Sequence, residues 1–290
     1  RLIAQHVDPV EKKPLYHFYP GTLAYSIATP GCNFRCRWCQ NWEISQMPRE
    51  FDFVGGREAT PEEVVRAAER SNCRSIAYTY TEPTIFFEYA YDVAILARER
   101  GMANVYVTNG YMTEEMLDAF HPYLDAANVD LKAFRDETYR EYVGARLQPV
   151  LDALRKMKAL GIWVEVTTLI VPGVNDDEGE LRELARFVAK ELGRGTPWHI
   201  SRFHPTYKMT DAPPTPRSTL LRAQEIGMEE DLRYVYIGNL PEETNTYCHD
   251  CGELLIRRSG FRVIENHIVE GRQCPNCRMP VAGVGMGEGT

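Results

Sequence analysis

The sequence predicts an α/β protein built on a parallel sheet, followed by a small cysteine-rich module. Short apolar runs alternate with amphipathic helical segments about six times along residues 23–237. Three cysteines fall in one loop directly after the first apolar run, and two further pairs lie near the end of the chain. Apolar residues make up 44% of the 290 residues, which is enough for one large core.

The elements follow from periodicity and from their start and stop signals. The predicted strands cover residues 23–28, 74–79, 104–108, 127–131, 163–170, 199–203 and 233–237. The predicted helices cover residues 60–72, 84–100, 113–120, 136–143, 148–160, 177–192 and 219–228. This rhythm is typical of parallel strands joined by right-handed crossovers, and the strand count favours a partial (β/α)6 barrel over a closed barrel of eight units.

The composition changes along the chain and indicates four parts. Residues 1–22 are an irregular or strand-bearing lead-in, and residues 23–243 form the barrel domain. Residues 244–282 form a module around four cysteines. Residues 283–290 are rich in glycine, and we expect them to be a flexible tail.

Charge and cysteine usage exclude several classes of function. The net charge of −8 argues against nucleic acid as the main partner. No apolar run approaches the roughly 20 residues of a membrane span, and no signal peptide opens the chain. Seven of the eight cysteines cluster at metal-ligand spacing, which indicates a reducing compartment and hence the cytoplasm. The remaining one, Cys73, is expected to be a buried apolar residue.

The first cysteine cluster predicts an iron–sulfur site with an open position. Cys32, Cys36 and Cys39 bring three thiolates round one loop, enough to bind three irons of a [4Fe-4S] cluster and to leave the fourth iron for another ligand. The loop follows the carboxyl end of a strand, where α/β folds place their active sites. The alternatives are a disulfide with a spare thiol, or half of a zinc site.

The motif CxxxCxxC, with Trp38 before its last cysteine, resembles the radical S-adenosylmethionine (SAM) enzymes. Residues 29–42 and 8–18 resemble the AmmeMemoRadiSam-system branch of these enzymes, which is related to pyruvate formate-lyase activating enzyme. The resemblance implies a six-strand open barrel, a [4Fe-4S] cluster and SAM, whose amino acid end binds the open iron. Relatives often carry a cysteine-rich segment ahead of this point, which we expect to be missing or to have been removed here.

Polar residues at the strand ends are the candidates for binding SAM. By resemblance Trp38 belongs to the cofactor site, and Glu82 stands where a Gly-Gly-Glu-Pro motif binds the SAM amino group. Its two glycines are replaced here by Tyr80 and Thr81. The alternative for Glu82 is that it caps the next helix. Asn109, at the end of the third strand, is a further candidate.

Two more strand ends carry candidates. Asp130 and Lys132 lie two residues apart and so on one face of a strand, where the alternative is a buried ion pair. The activating enzymes carry a similar Asp-Leu-Lys near SAM. His204 matches a histidine near the SAM ribose or adenine in those relatives, with a structural hydrogen bond as its alternative. His199 is a weaker candidate. The relatives also have an aspartate where Val107 stands, and an arginine that is absent here.

The resemblance implies an oxidoreductase that uses the cluster to cleave SAM reductively. The resulting 5′-deoxyadenosyl radical abstracts hydrogen from a substrate, with a glycyl-radical-type protein as the leading class. We expect a reducing partner of the flavodoxin or ferredoxin type. The alternatives are a radical SAM enzyme that acts on a small metabolite, or a non-catalytic iron–sulfur or zinc protein that recruits a partner.

The second cysteine cluster predicts a separate metal site. Cys248 and Cys251 form one CxxC knuckle, and Cys274 and Cys277 form another. A predicted hairpin at residues 254–268 lies between them. This spacing is typical of a zinc ribbon, in which four thiolates surround one tetrahedral ion. A rubredoxin-like iron or a second iron–sulfur cluster is the alternative, because four thiolates suit these metals too.

Overall fold

The chain forms two compact units, each assembled from segments far apart in the sequence. The structure is a computed structural model that describes residues 1–241, 243–269 and 271–288. The first unit comprises Arg1–Asp8, Leu23–Val164 and Pro205–Pro213, and the second comprises Pro9–Thr22, Glu165–His204 and Pro214–Thr290. No helix within the described ranges is long and apolar enough to cross a membrane.

The first unit contains most of the predicted elements. Its strands are β1 (Ala4–Pro9), β2 (Leu23–Ala28), β3 (Ser75–Tyr78), β4 (Ala103–Thr108), β5 (Ala126–Asp130) and the start of β6 (Trp163–Ile170). Its helices are α1 (Trp42–Ser45), α2 (Met47–Glu50), α3 (Pro61–Arg70), α4 (Phe87–Glu99), α5 (Glu114–Phe120), α6 (Asp136–Thr138) and α7 (Leu147–Ala159). A 3-10 turn, Pro83–Phe86, precedes α4, and a π-helical turn, Tyr139–Val143, follows α6.

Strands β2 to β5 lie side by side in sequence order and run parallel. Their pairing aligns Tyr78 with Tyr106 and Thr108 with Val129, so the carboxyl ends of neighbouring strands meet at one edge. All four residues of β3 are buried, as expected for a parallel strand that is covered on both faces. The loops that follow these strands are therefore brought together.

Helix α3 shows how local sequence sets an element's boundary. Thr60 precedes it, and its hydroxyl accepts a hydrogen bond from Glu63 N at 3.3 Å, while the Glu63 carboxylate accepts one from Thr60 N at 2.9 Å. Such a capping box stabilises a helix by about 1 kcal/mol. Val64, Val65 and Ala68 then form its buried face.

The second unit continues the α/β pattern and adds a small antiparallel sheet. The rest of β6 pairs in parallel with β7 (Trp198–Arg202), and β7 pairs with β8 (Val235–Gly238). Helices α8 (Glu178–Phe187) and α9 (Arg217–Glu229) belong to this unit, and a π-helical turn, Val188–Leu192, extends α8. Strands β9 (Thr246–Tyr247), β10 (Leu254–Ser259) and β11 (Arg262–Asn266) form the antiparallel sheet in the order β11-β10-β9.

One apolar core joins the four-cysteine module to the rest of the second unit. Its members come from residues 9–22 (the N-terminal segment), from β8 and the residue before it, and from the module itself. Its buried members include Tyr16, Tyr234, Tyr236, Leu255, Ile256, Ile268 and Met286. The module is thus packed on the unit over a continuous core.

A buried hydrogen-bonded chain runs through the same region. Arg258, which is fully buried, donates to Thr246 Oγ1 at 2.8 Å, and Thr246 lies 2.8 Å from the Tyr236 hydroxyl. That hydroxyl is 2.6 Å from His17 Nε2, and His17 Nδ1 is 2.6 Å from Ala282 O. A carbonyl only accepts, so Nδ1 carries the proton and Nε2 accepts from Tyr236. In this series of hydrogen bonds each group therefore donates to the next, from Arg258 through Thr246, Tyr236 and His17 to Ala282.

The carboxylate of Glu165 fixes the N-terminal segment to β6. It is fully buried and accepts hydrogen bonds from Tyr16 N at 3.0 Å and from His17 N at 2.7 Å. His199 Nε2 lies 2.7 Å from the same carboxylate. His199, the weaker candidate for SAM binding, is therefore engaged in a buried structural contact.

The α/β fold with a parallel sheet is confirmed, and the predicted strands and helices agree with the structure to within about three residues. The chain divides into two units in which residues 9–22 group with residues 214–290, and the four predicted parts stay a prediction. Within the predicted tail, Val284 N donates to His17 O and Met286 is fully buried, whereas Gly287 and Glu288 are exposed. Residues 289 and 290 lie outside the described part.

Candidate functional site

The three-cysteine loop begins at the carboxyl end of β2 and ends at α1. Gly31 adopts a φ of 111°, which glycine tolerates and larger residues avoid, and its N–H donates to Ile44 O at 3.0 Å. A Cβ on Gly31 would lie 2.9 Å from Ile85 Cδ1. The glycine therefore lets the loop turn and close against the 3-10 turn before α4.

The π-helical turn after α6 supports the loop from outside. Arg35 N donates to Val143 O at 2.8 Å, and Arg37 N donates to Tyr142 O at 2.9 Å. The π-helical turn ends at Gly144, with a φ of 77°. Single π-helical turns occur frequently at functional sites, and this one holds the backbone on both sides of Cys36.

The three thiols are free and sheltered. Cys36 is buried, and Cys32 and Cys39 are partly buried. Burial raises the pKa of the Cys32 thiol and of the Cys36 thiol to about 12, so both are neutral without a metal. A bound iron deprotonates a coordinating thiol. Three free thiols in one loop therefore match the protein ligands of a [4Fe-4S] cluster with one open iron.

Glu82 joins the ends of β3 and β4. Its buried carboxylate accepts from Thr84 N at 3.0 Å and Thr84 Oγ1 at 2.6 Å, and from Thr108 Oγ1 and Asn109 N at 2.7 Å each. Burial raises the pKa of the Glu82 carboxyl, and these donors act in the opposite direction. Oε2 has a single donor among the described residues, which leaves it acceptor capacity for an ammonium group.

Asn109 connects β4 to the cysteine loop. Its side-chain Oδ1 accepts from Tyr111 N at 2.9 Å, and its Nδ2 donates to Asn33 Oδ1 at 2.7 Å. The same Nδ2 lies 3.8 Å from Cys32 Sγ. The structure therefore brings Glu82, Asn109 and Cys32 into one continuous set of contacts.

Asp130 and Lys132 form an ion pair at the end of β5, which is the alternative that the sequence left open for them. Lys132 Nζ lies 2.8 Å from Asp130 Oδ2. The Lys132 side chain is 17% exposed and the Asp130 side chain is 31% exposed. Burial lowers the pKa of Lys132, but the attraction to Asp130 and to the Cys36 and Cys39 thiolates together outweighs this and raises the pKa above its ordinary value. Tyr139 Oη accepts a hydrogen bond from Lys132 N at 3.1 Å. The pair is charged, and it remains partly accessible to a ligand.

Tyr80, in the turn after β3, has a backbone conformation that is unusual for a residue with a side chain. Its φ is +66°, in the left-handed region that glycine favours. The strain costs about 1 kcal/mol or more. The Tyr80 hydroxyl donates to the carboxylate of Asp8, which is buried, and Tyr80 O accepts from Asn41 Nδ2 at 2.8 Å. The contact with Asp8 therefore anchors this strained turn to β1.

The two remaining candidates differ in environment. Trp38 is buried and stacks on Tyr142, with ring centroids 6.0 Å apart, and its Nε1 has no hydrogen-bond partner among the described residues. His204 belongs to the second unit, where it follows β7 and is exposed. Trp38 thus packs beneath the loop, and the role of His204 stays a prediction.

A profile of the Radical SAM superfamily matches residues 26–187. The match covers more than half of the chain and includes the cysteine loop and the three strand ends described above. The chain belongs to the radical SAM superfamily. Membership implies a [4Fe-4S] cluster and SAM as cofactors, in agreement with the thiols of the loop.

Similar proteins extend this result. An uncharacterized protein of Methanocaldococcus jannaschii is 53% identical over 93% of this chain and 81% of its own length. The pyruvate formate-lyase-activating enzyme of Clostridium pasteurianum is 26% identical over 54% of this chain and 66% of its own. A radical SAM methyltransferase from Sphaerobacter thermophilus has a TM-score of 0.57 and 20% identity, over 82% of this chain and 71% of that one. The chain is thus distantly homologous to activating enzymes, and the methyltransferase shares the fold.

This radical SAM protein has a second thiol cluster, in its second unit. Cys248 Sγ lies 3.6 Å from Cys277 Sγ, and Cys251 Sγ lies 3.7 Å from Cys274 Sγ. All four sulfur atoms lie within 4.8 Å of one another. Sulfur atoms at about 2.3 Å from a tetrahedral zinc ion are about 3.8 Å apart, so the four thiols fit a single zinc ion.

Sequence reasoning missed several residues that build the site. The hydroxyls of Thr84 and Thr108 donate hydrogen bonds to the Glu82 carboxylate, and the Asp8 carboxylate accepts one from the Tyr80 hydroxyl. The signal for Thr108 was its place at a strand end beside Asn109. No local pattern pointed to Asp8, because its contact with Tyr80 joins residues 72 positions apart.

Proposed function

We propose that this radical SAM protein generates a 5′-deoxyadenosyl radical and abstracts hydrogen from a glycyl-radical-type protein. The observation that carries the proposal is the sheltered three-thiol loop joined through Asn109 to Glu82 at the strand ends. When bound, the cluster supplies the electron that cleaves SAM. A non-catalytic iron–sulfur protein has no need of a buried carboxylate and a partly exposed ion pair beside its thiols.

The strand-end residues divide the work of holding SAM. We assign the SAM amino group to Oε2 of Glu82, which retains acceptor capacity. The ion pair of Asp130 and Lys132 orients the ribose or the carboxylate, because it offers both charges on one partly exposed face. Trp38 shields the loop from water. Asn109 holds the cysteine loop.

The wider assignment follows from the same residues. We place the protein in the AmmeMemoRadiSam-system branch, in the cytoplasm, and with a flavodoxin or ferredoxin as reductant. The free thiols of both metal sites support a reducing compartment. The four-cysteine module, residues 244–282, is proposed to bind zinc structurally, and residues 23–243 to form the catalytic domain.

The first experiment measures SAM cleavage. The protein is reconstituted anaerobically with iron and sulfide, reduced with dithionite, and given SAM, and 5′-deoxyadenosine is quantified. We expect product from the wild type and from Cys73→Ala, the control that also removes one cysteine, and none from Cys36→Ala. A wild type that holds a full cluster and yields no 5′-deoxyadenosine would refute the proposal.

The second experiment tests the substrate class. The active protein is incubated with a glycyl-radical-type protein whose glycines carry deuterium at the α-carbon. We expect deuterium in 5′-deoxyadenosine and a glycyl radical signal in electron paramagnetic resonance (EPR) spectra. Cleavage of SAM without deuterium transfer would retain the radical chemistry and point to a small metabolite instead.

A further inference from the structure

A buried hydroxyl lies beside one of the cluster-binding thiols. Ser45 Oγ is 3.2 Å from Cys39 Sγ, and Ser45 is only 3% exposed. Ser45 ends α1, the short helix into which the cysteine loop runs. The serine is thus fixed by the same turn that positions the third cysteine.

The neighbours of Ser45 determine where its proton points. Gln46 Nε2 lies 3.3 Å from Ser45 Oγ and donates also to Phe34 O at 3.1 Å. Arg49 donates to Gln46 Oε1 at 3.0 Å, which fixes the orientation of the amide. Because an amide nitrogen only donates, Ser45 Oγ accepts from Gln46. The single hydroxyl proton is left for Cys39 Sγ.

A second donor approaches the loop from the other side. The Nδ2 group of Asn109 has two hydrogens and two acceptors, Asn33 Oδ1 at 2.7 Å and Cys32 Sγ at 3.8 Å. Tyr111 N donates to its Oδ1, so the amide orientation is fixed here too. Phe34 N also donates to Cys32 Sγ, at 3.4 Å. Two of the three thiols therefore face side-chain donors of fixed orientation.

We propose that Ser45 and Asn109 set the reduction potential of the cluster by donating hydrogen bonds to the thiolates of Cys39 and Cys32. This rests on the proposed function, in which these thiolates bind iron. A donor withdraws charge from the sulfur and stabilises the reduced, more negative cluster, which raises its potential. Ser45 forms the shorter contact and makes the larger contribution. Both are positioning residues, because they act through the thiolates.

The test is a redox titration of the reconstituted protein followed by EPR, without SAM or substrate. We expect Ser45→Ala to shift the midpoint potential to a more negative value and Ser45→Thr, which keeps the hydroxyl, to restore it. Ser75→Ala is the matched control, since it removes a buried hydroxyl that has no hydrogen-bond partner among the described residues. It lies beside Ala24, at the start of the neighbouring strand, and we expect the wild-type midpoint.

A midpoint of Ser45→Ala within the titration error of wild type, at full cluster content, would overturn the proposal. If Ser45→Ala fails to hold a cluster, Asn109→Ala replaces it, because it removes the second side-chain donor, with the same expected direction and the same refuting result. The outcome is separate from that of the proposed function. A shifted potential with no SAM cleavage by wild type would leave this inference standing and remove the proposed activity.

Discussion

Acidification is expected to destabilise the second unit through His17. The imidazole is fully buried, donates to Ala282 O and accepts from the Tyr236 hydroxyl. A second proton would place two donors, Nε2–H and the Tyr236 hydroxyl, against each other. Tyr236 would then have to reverse its hydrogen bond with Thr246, which already accepts from Arg258. The fold therefore favours the neutral ring.

The magnitude follows from the difference in pKa. Burial lowers the pKa of His17 from its ordinary value of 6.5 to about 4. Between these values the unfolded chain binds more protons than the folded one, so the free energy of unfolding falls as the pH falls. At 1.36 kcal/mol per pKa unit, acidification from pH 7 to pH 4 removes about 3 kcal/mol. The contribution is fully present above about pH 6.5.

The assay compares wild type with His17→Gln by urea unfolding of zinc-loaded protein at pH 7.5, 6.5, 5.5 and 4.5. An amide can donate to Ala282 O and accept from Tyr236, but it does not titrate. The thiolates and carboxylates titrate equally in both proteins. The difference between their free energies of unfolding therefore isolates the contribution of His17. His121→Gln removes an exposed imidazole and is the matched control.

The two pH profiles are expected to diverge below pH 6.5, with wild type losing up to about 3 kcal/mol more than His17→Gln. Parallel profiles from pH 7.5 to 4.5 would refute the reasoning. They would mean that the buried ring accepts a second proton in the folded state without cost.

Three further predictions concern the two sites. Cys274→Ala removes one of four thiolates around a single ion, and we expect a chelator to strip that metal at least tenfold faster, as measured by metal analysis, with cluster iron unchanged. Glu82→Gln leaves at least one buried N–H facing an amide donor, and we expect a loss of about 2–4 kcal/mol in urea unfolding. Gly110→Ala strains a φ of 72° and brings a Cβ to 2.8 Å from Val129 Cγ1, for a loss of about 2–4 kcal/mol.

Matched variants make these predictions decisive. Cys73→Ala must keep the chelator-sensitive metal, and equal metal loss from both cysteine variants would contradict the single-ion site. Glu99→Gln, on the exposed last turn of α4, must retain wild-type stability. Gly161→Ala has a φ of 79° with no atom within 4 Å of its Cβ, so it pays only about 1 kcal/mol of strain. A Gly110→Ala variant no worse than Gly161→Ala would contradict the steric argument.

Much of the fold was predictable because parallel strands and amphipathic helices leave regular patterns. Strand 163–170 was predicted with its observed bounds, since a segment of that length rich in β-branched and aromatic residues between turn signals favours a strand. The π-helical turns were not distinguished from α-helix, because one inserted residue barely disturbs the period over five residues. The glycine-rich composition of residues 283–288 gave no indication that Met286 is fully buried.

The site was predictable where chemistry requires a residue type and not where partners are distant in sequence. Three cysteines at this spacing indicate a metal site without further information. The contact between Asp130 and Lys132 was foreseen as the alternative to a role in SAM binding, although β5 ends at Asp130. The bond from Thr84 N to Glu82 is the helix cap that the sequence offered as an alternative. The bonds from Thr108 and Asn109 to Glu82 and from Tyr80 to Asp8 were not predictable, because these partners are distant in sequence. The positive φ of Tyr80 was also invisible, since tyrosine rarely adopts it.

The contact between His17 and Ala282 sets the order in which the chain can fold during synthesis. Its two ends are 265 residues apart, so residues 9–22 leave the ribosome long before their partner exists. Most residues of the first unit have been synthesised once the ribosome passes position 164, so this unit can fold early. Residues 9–22 have to remain without their packing partners until the end of the second unit is made. Closing such a long loop is slow, and the waiting segment exposes the side chains that later form the core of the second unit. Loss of Ala282 and its neighbours would therefore destabilise residues 9–22, which are synthesised long before them.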